Sequence, residues 1–67
     1  MRRVPVTSSR MVSVGWENDI LEIEFPNGKI YHYIDVTHDK YLWFMSSPSL
    51  GAALKAFEIP GKYYPIN

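Results

Sequence analysis

The sequence predicts an α+β fold, a three-stranded antiparallel β-meander packed against two short C-terminal helices. Two observations carry that expectation. Over Val12–Trp16 and Leu21–Phe25 apolar side chains recur at every second position, and after Asp35 they recur three and four apart. Proline, glycine, asparagine and aspartate fall at the boundaries between these runs. All 67 residues are read as one domain, with residues 1–7 as an extended arm. In that arm Pro5 pushes its predecessor out of helical dihedrals, and no apolar period has yet begun.

The first strand is read over Val12 to Trp16, where Val12, Val14 and Trp16 alternate with Ser13 and Gly15. Glu17-Asn18-Asp19 follows as a polar turn, since Asn and Asp tolerate left-handed dihedrals. In the second strand Leu21, Ile23 and Phe25 share one face and Glu22 and Glu24 the other, which is a core side and a solvent side. Pro26-Asn27-Gly28 ends it, and Lys29 to Ile34 is a third strand rich in β-branched and aromatic residues. Thr37 or Asp35 can cap a helix from about His38 to Ser46, with Tyr41, Phe44 and Met45 on one face. Ser47-Pro48 interrupts it. Ser49 then caps a second helix carrying Leu50, Ala53, Leu54 and Phe57 as an apolar stripe, and Pro60-Gly61 stops that one. Lys62 to Asn67 is an aromatic tail, either extended or added to a sheet edge.

The hairpin between the second and third strands can close in two registers, and a slip by one residue exchanges the faces of a strand. A two-residue Asn27-Gly28 turn sets Phe25 opposite Ile30 and leaves Tyr31 and Tyr33 on the outer face. A three-residue Pro26-Asn27-Gly28 loop sets Phe25 opposite Lys29, Ile23 opposite Tyr31 and Leu21 opposite Tyr33, so the tyrosines enter the core. Proline at the first central position of a type I turn favours the second. That register leaves Ile20, Ile30 and Ile34 on the outer face, a strip that invites cover by the arm or a second subunit.

Size and charge exclude several functions. A chain this short buries only about 60% of its unfolded surface, which leaves little room for a deep catalytic cleft, and a non-enzymatic role is expected. There is no cysteine, hence no disulfide and no thiolate zinc site. Seven basic and seven acidic residues give zero net charge, which opposes binding through broad phosphate neutralisation. There is no apolar run long enough to span a bilayer and no secretory signal pattern, so a cytoplasmic protein without membrane partners is expected.

A set of short motifs then falls in order: Ser8-Ser9, Val14-Gly15-Trp16, Leu21-Glu22-Ile23-Glu24-Phe25 with Gly28, Tyr31-His32-Tyr33, Val36, Tyr41, Ser49 with Gly51, and Tyr63. Together they resemble the KTSC domain, a module of similar size found at the C-terminus of some lysyl-tRNA synthetases and as free-standing bacterial and phage proteins. The resemblance implies no established activity. RNA binding is suggested for the family from the synthetase context and the Tyr-x-Tyr centre. Beyond Gly51 the sequence departs from the family pattern, and the basic close of its relatives is replaced by Tyr63-Tyr64-Pro65-Ile66-Asn67.

The candidate ligand-binding residues are Ser8, Ser9, Arg10, Trp16, Tyr31, Tyr33 and Lys55. Ser8, Ser9 and Arg10 can bind a phosphate through hydroxyls and a bidentate guanidinium, or serve as a solvated lead-in to the first strand. Tyr31 and Tyr33 can stack bases if exposed. Trp16 is either a rim aromatic or packing, and Lys55 adds charge beside the second helix. Asp35, His38 and Asp39 read as helix-capping residues rather than metal ligands, no serine has a histidine at fixed spacing, and no cofactor is implied. The leading expectation is a binding module for RNA or a nucleotide-like ligand. The alternatives are a homo-oligomeric interaction module, or copies of the chain sequestering a small or cyclic nucleotide at their interface.

Overall fold

The structure is a computed structural model describing residues 1–67. Its elements are β1 (Arg3–Pro5), β2 (Ser13–Glu17), β3 (Ile20–Glu24), β4 (Ile30–Tyr33), α1 (His38–Met45), α2 (Leu50–Glu58) and β5 (Tyr63–Pro65). The sheet is antiparallel with strand order β1-β2-β3-β4-β5. It therefore has five strands, not the three expected from the sequence. The expected meander is present as β2-β3-β4, and each terminal segment adds a three-residue edge strand. The arm residues Arg3, Val4 and Pro5 pair with Gly15, Val14 and Ser13, while Tyr63, Tyr64 and Pro65 pair with Tyr33, His32 and Tyr31.

Both hairpins follow from their turn chemistry. Asn18 and Asp19 have φ of 52° and 61°, two left-handed residues in the two-residue loop that sets Glu17 opposite Ile20. The next hairpin takes the three-residue form. The Phe25 N–H donates to the Lys29 carbonyl (2.8 Å), the Gly28 N–H donates to the Phe25 carbonyl (2.9 Å), and Gly28 is left-handed at φ 86°. Leu21 accordingly faces Tyr33 and Ile23 faces Tyr31.

One face of the sheet packs on the two helices. Thr37 caps α1 through its hydroxyl and Ser49 caps α2 likewise. The helices contribute Phe44, Ala53 and Leu54 to a core completed by Met11, Val14, Leu21, Ile23, Tyr33 and Val36. The opposite face carries Arg3, Ser13, Glu22, Glu24 and His32, and it is more enclosed than an outer face should be. Glu22 is only 6% exposed. The N-terminal segment crosses it so closely that a Cβ at Gly15 would lie 2.9 Å from the Arg2 carbonyl oxygen and 3.0 Å from Arg3 Cγ.

Candidate functional site

The loop before β2 passes along the start of α2, and between them lies a groove of about 600 Å³. Ser8, Ser9, Arg10 and Lys55, four of the seven residues singled out in the sequence, line it together with Ser47 and Ser49. No carboxylate lines it. The Arg10 N–H donates to Ser8 Oγ (3.2 Å), a local serine turn that aims the arginine toward α2. Its Nη1 donates to the Gly51 carbonyl (2.8 Å) and its Nη2 to Glu58 Oε2 (3.3 Å). Gly51 permits this route, because a Cβ there would come within 2.9 Å of Arg10 Cδ. Of the five N–H groups of a guanidinium, two are thus spent and three remain free. Lys55 is exposed and takes part in none of the ion pairs of the molecule.

A second groove, of about 560 Å³, opens on the far side of the Arg10–Glu58 pair. Phe25, Tyr31, Tyr63 and Glu58 line it, with Tyr33 at its base and Lys29 at its rim. Tyr31 is half-buried, edge-on to Phe25 (centroids 5.6 Å apart) and tilted against Tyr63 (6.0 Å). Tyr33 is a core residue at 1% exposure, stacked on Tyr63 at 5.2 Å, and offers no open ring face. Burial, and then the nearby Glu58 charge, hold its phenol proton above the usual tyrosine range. The two members of the Tyr-x-Tyr pair thus have different environments.

Trp16 lines neither groove. Its indole N–H donates to the Val36 carbonyl (2.7 Å), and its ring lies 4.9 Å from that of His38 and stacks at 5.8 Å on Tyr41. It anchors the start of α1 to the sheet. Asp35 is left-handed (φ 59°) and paired with Lys62 Nζ at 2.9 Å, whose hydrogen bond and charge hold its carboxyl below the ordinary range.

Sequence reasoning missed the network on the outer face. Glu22 accepts from Arg3 Nη1 and is hydrogen-bonded to His32 Nε2 (2.8 Å). Arg3 Nε also donates to Ser13 Oγ (2.9 Å), which donates to Glu24 Oε1 (2.8 Å). Burial raises the Glu22 pKa, but the hydrogen bonds and charges of His32 and Arg3 outweigh it and bring it below its usual value. The Glu22–His32 contact was legible once the three-residue turn was chosen, because that register sets the two opposite each other. The Arg3 contact was not, since it depends on β1. Glu58 and Phe25 were likewise passed over as site residues, and no local pattern marks them.

Comparison with known proteins places the chain in a wider group. Residues 7–63 match the family described as the KTSC domain. Among solved structures, a KTSC domain protein from Yersinia pestis is 36% identical, with a TM-score of 0.84 over 98% of this chain and 97% of that one. No match is found among curated proteins.

Proposed function

The chain belongs to the KTSC domain family, and we propose that it is a non-enzymatic binding module for RNA or a nucleotide-like ligand, with the phosphate in the first groove and a base in the second. The observation that carries this reading is the adjacency of the two grooves. Hydroxyls and two cations, without a carboxylate, line one, aromatic side chains with Glu58 and Lys29 line the other, and the Arg10–Glu58 pair links them, Arg10 lining the first and Glu58 the second. Charge-assisted hydrogen bonds from Arg and Lys suit a phosphate oxygen. Base stacking on an aromatic contributes about 1–3 kcal/mol and needs no net positive charge, so zero net charge is compatible with it.

Trp16 has no part in this ligand site, and Tyr33 acts as the support on which Tyr63 stacks. With Arg10 and Lys55 as the only basic side chains in the first groove, about two phosphates are neutralised. The affinity for single-stranded RNA should then fall with salt at a log–log slope of about −1.4. Fluorescence anisotropy with a short labelled RNA tests this. Binding at low salt that weakens at least several-fold in Lys55→Ala supports the proposal, and absence of binding at the lowest salt rules out RNA as the ligand.

A second reading, self-association, is favoured by Leu42 and Trp43, which lie side by side on α1 with about half of each exposed. Clefts flank Trp43 on both sides. The sheet edges are poorer candidates. Val6 and Ile66 turn their N–H groups inward, to the carbonyls of Val12 just before β2 and of Ile30 in β4, so Pro5 and Pro65 occupy outward positions and remove the donors that strand addition would use. Sedimentation of wild type and Trp43→Glu tests it: a dimer abolished by the substitution supports contact through α1, and a wild-type monomer at high concentration rules it out.

A further inference from the structure

We infer that the second groove selects guanine, so that the ligand is a guanine nucleotide, free or within a single strand. The inference rests on the two-groove reading above and adds the identity of the base. Glu58 is the only carboxylate lining that groove, and it stands beside the aromatic wall of Phe25, Tyr31 and Tyr63. Its side chain is 30% exposed. Oε2 takes a single long contact from Arg10, at 3.3 Å, and Oε1 takes part in no hydrogen bond. The carboxylate therefore has unspent acceptor capacity beside the aromatic side chains that line the groove.

The base that suits this arrangement presents two adjacent donors on one edge. Guanine does, through N1–H and the exocyclic N2 amine, and a carboxylate accepts both as a fork. Adenine and cytosine offer one amine next to a ring-nitrogen acceptor, which a carboxylate oxygen repels. Uracil offers one N–H flanked by two carbonyls. The charge distribution gives the same orientation for the rest of the ligand. Phosphate is disfavoured beside Glu58 and favoured in the carboxylate-free groove with Lys55, while Arg10 lies between the two with three N–H groups free.

Isothermal titration of the full chain with GMP, AMP and ribose 5-phosphate tests the assignment, using wild type, Glu58→Gln and Lys55→Ala. GMP should bind at least about tenfold tighter than AMP, a conservative figure for one bidentate pair. Glu58→Gln should erase or invert that preference, since the amide places a donor against the donors of guanine and matches the amine and ring nitrogen of adenine. Lys55→Ala should weaken both nucleotides alike. Equal affinity for GMP and AMP, or a preference that survives Glu58→Gln, overturns the guanine assignment and leaves the phosphate groove intact. Failure of all three ligands to bind overturns both. An oligouridylate with one central guanine separates the sources: binding tighter than GMP identifies single-stranded RNA, and weaker binding identifies the free nucleotide.

Discussion

Replacing Arg3 with methionine removes the guanidinium over Glu22 but keeps an unbranched stem that reaches about as far as arginine Nε, and leaves the backbone groups that pair β1 in place. Arg3 makes one charge-assisted hydrogen bond to Glu22 and a second bond to Ser13, with Glu24 farther away at 4.0 Å. A hydrogen bond to a charged group contributes about 1.5–3 kcal/mol. Stranding a fully buried charge costs about 3–5 kcal/mol. Because 29% of the Arg3 side chain is exposed and His32 still contacts Glu22, the lower end applies, and a loss of about 2 kcal/mol is expected at neutral pH. A chain of this size has a total stability of about 3–10 kcal/mol, so the melting temperature should fall by roughly 8–16 °C.

The pH dependence has a definite sign. The Glu22 pKa in the folded chain lies below the ordinary value of 4.5, so its stabilisation is present above that value and is lost as pH falls through the lower, folded one. Arg3→Met should reduce that depression, and the gap between variant and wild type should narrow in acid. Urea titrations at neutral and acidic pH measure both. A stability at neutral pH within about 0.5 kcal/mol of wild type refutes the reasoning, because a change that small is what a solvated surface residue gives.

Other expectations concern the core and the backbone. Gly15→Ala places a methyl against the Arg2 carbonyl and should cost about 1–3 kcal/mol by displacing β1, read by urea unfolding. Leu54→Ala, at a position with no exposed surface, should cost about 2–5 kcal/mol, with a smaller loss only if the helices close over the void. In a spectrophotometric alkaline titration one of the five tyrosines, Tyr33, should resist ionisation until the chain unfolds. Its raised folded pKa means that stability is lost as pH rises above about 10, and Tyr33→Phe should flatten that decline.

The parts of the fold legible in the sequence are those fixed by local chemistry. Pro26 selected the three-residue turn and thereby the burial of Tyr33, Asn18-Asp19 supplied the left-handed pair, and Ser49 with the stripe from Leu50 to Phe57 defined α2. Of the two edge strands, β5 is open in the sequence as one of two alternatives for the tail and β1 reads only as an extended arm, because each has three residues, too few to show a period, and each contains a proline. What holds them is long-range pairing with β2 and β4. The same limit concealed the burial of Glu22. Alternation put it on the outer face, where it is, but the cover supplied by Arg3 and the N-terminal backbone depends on a strand the pattern does not announce. Met11 likewise joins the core from an irregular segment. At the candidate site, sequence grouped Ser8, Ser9 and Arg10 by adjacency. Their meeting with Lys55 and the isolation of Trp16 follow from how α2 and α1 dock on the sheet.

The most direct measurement is a map of backbone amide shifts in a ¹H–¹⁵N spectrum during titration with a short guanine-containing single-stranded RNA. If the two grooves form one ligand site, Ser8, Ser9, Arg10 and Lys55 should shift in parallel with Phe25, Tyr31 and Glu58, while Trp16 and the Glu22–His32 pair stay unchanged. Shifts confined to α1 or to the outer sheet face, or no shifts at all, would contradict that assignment.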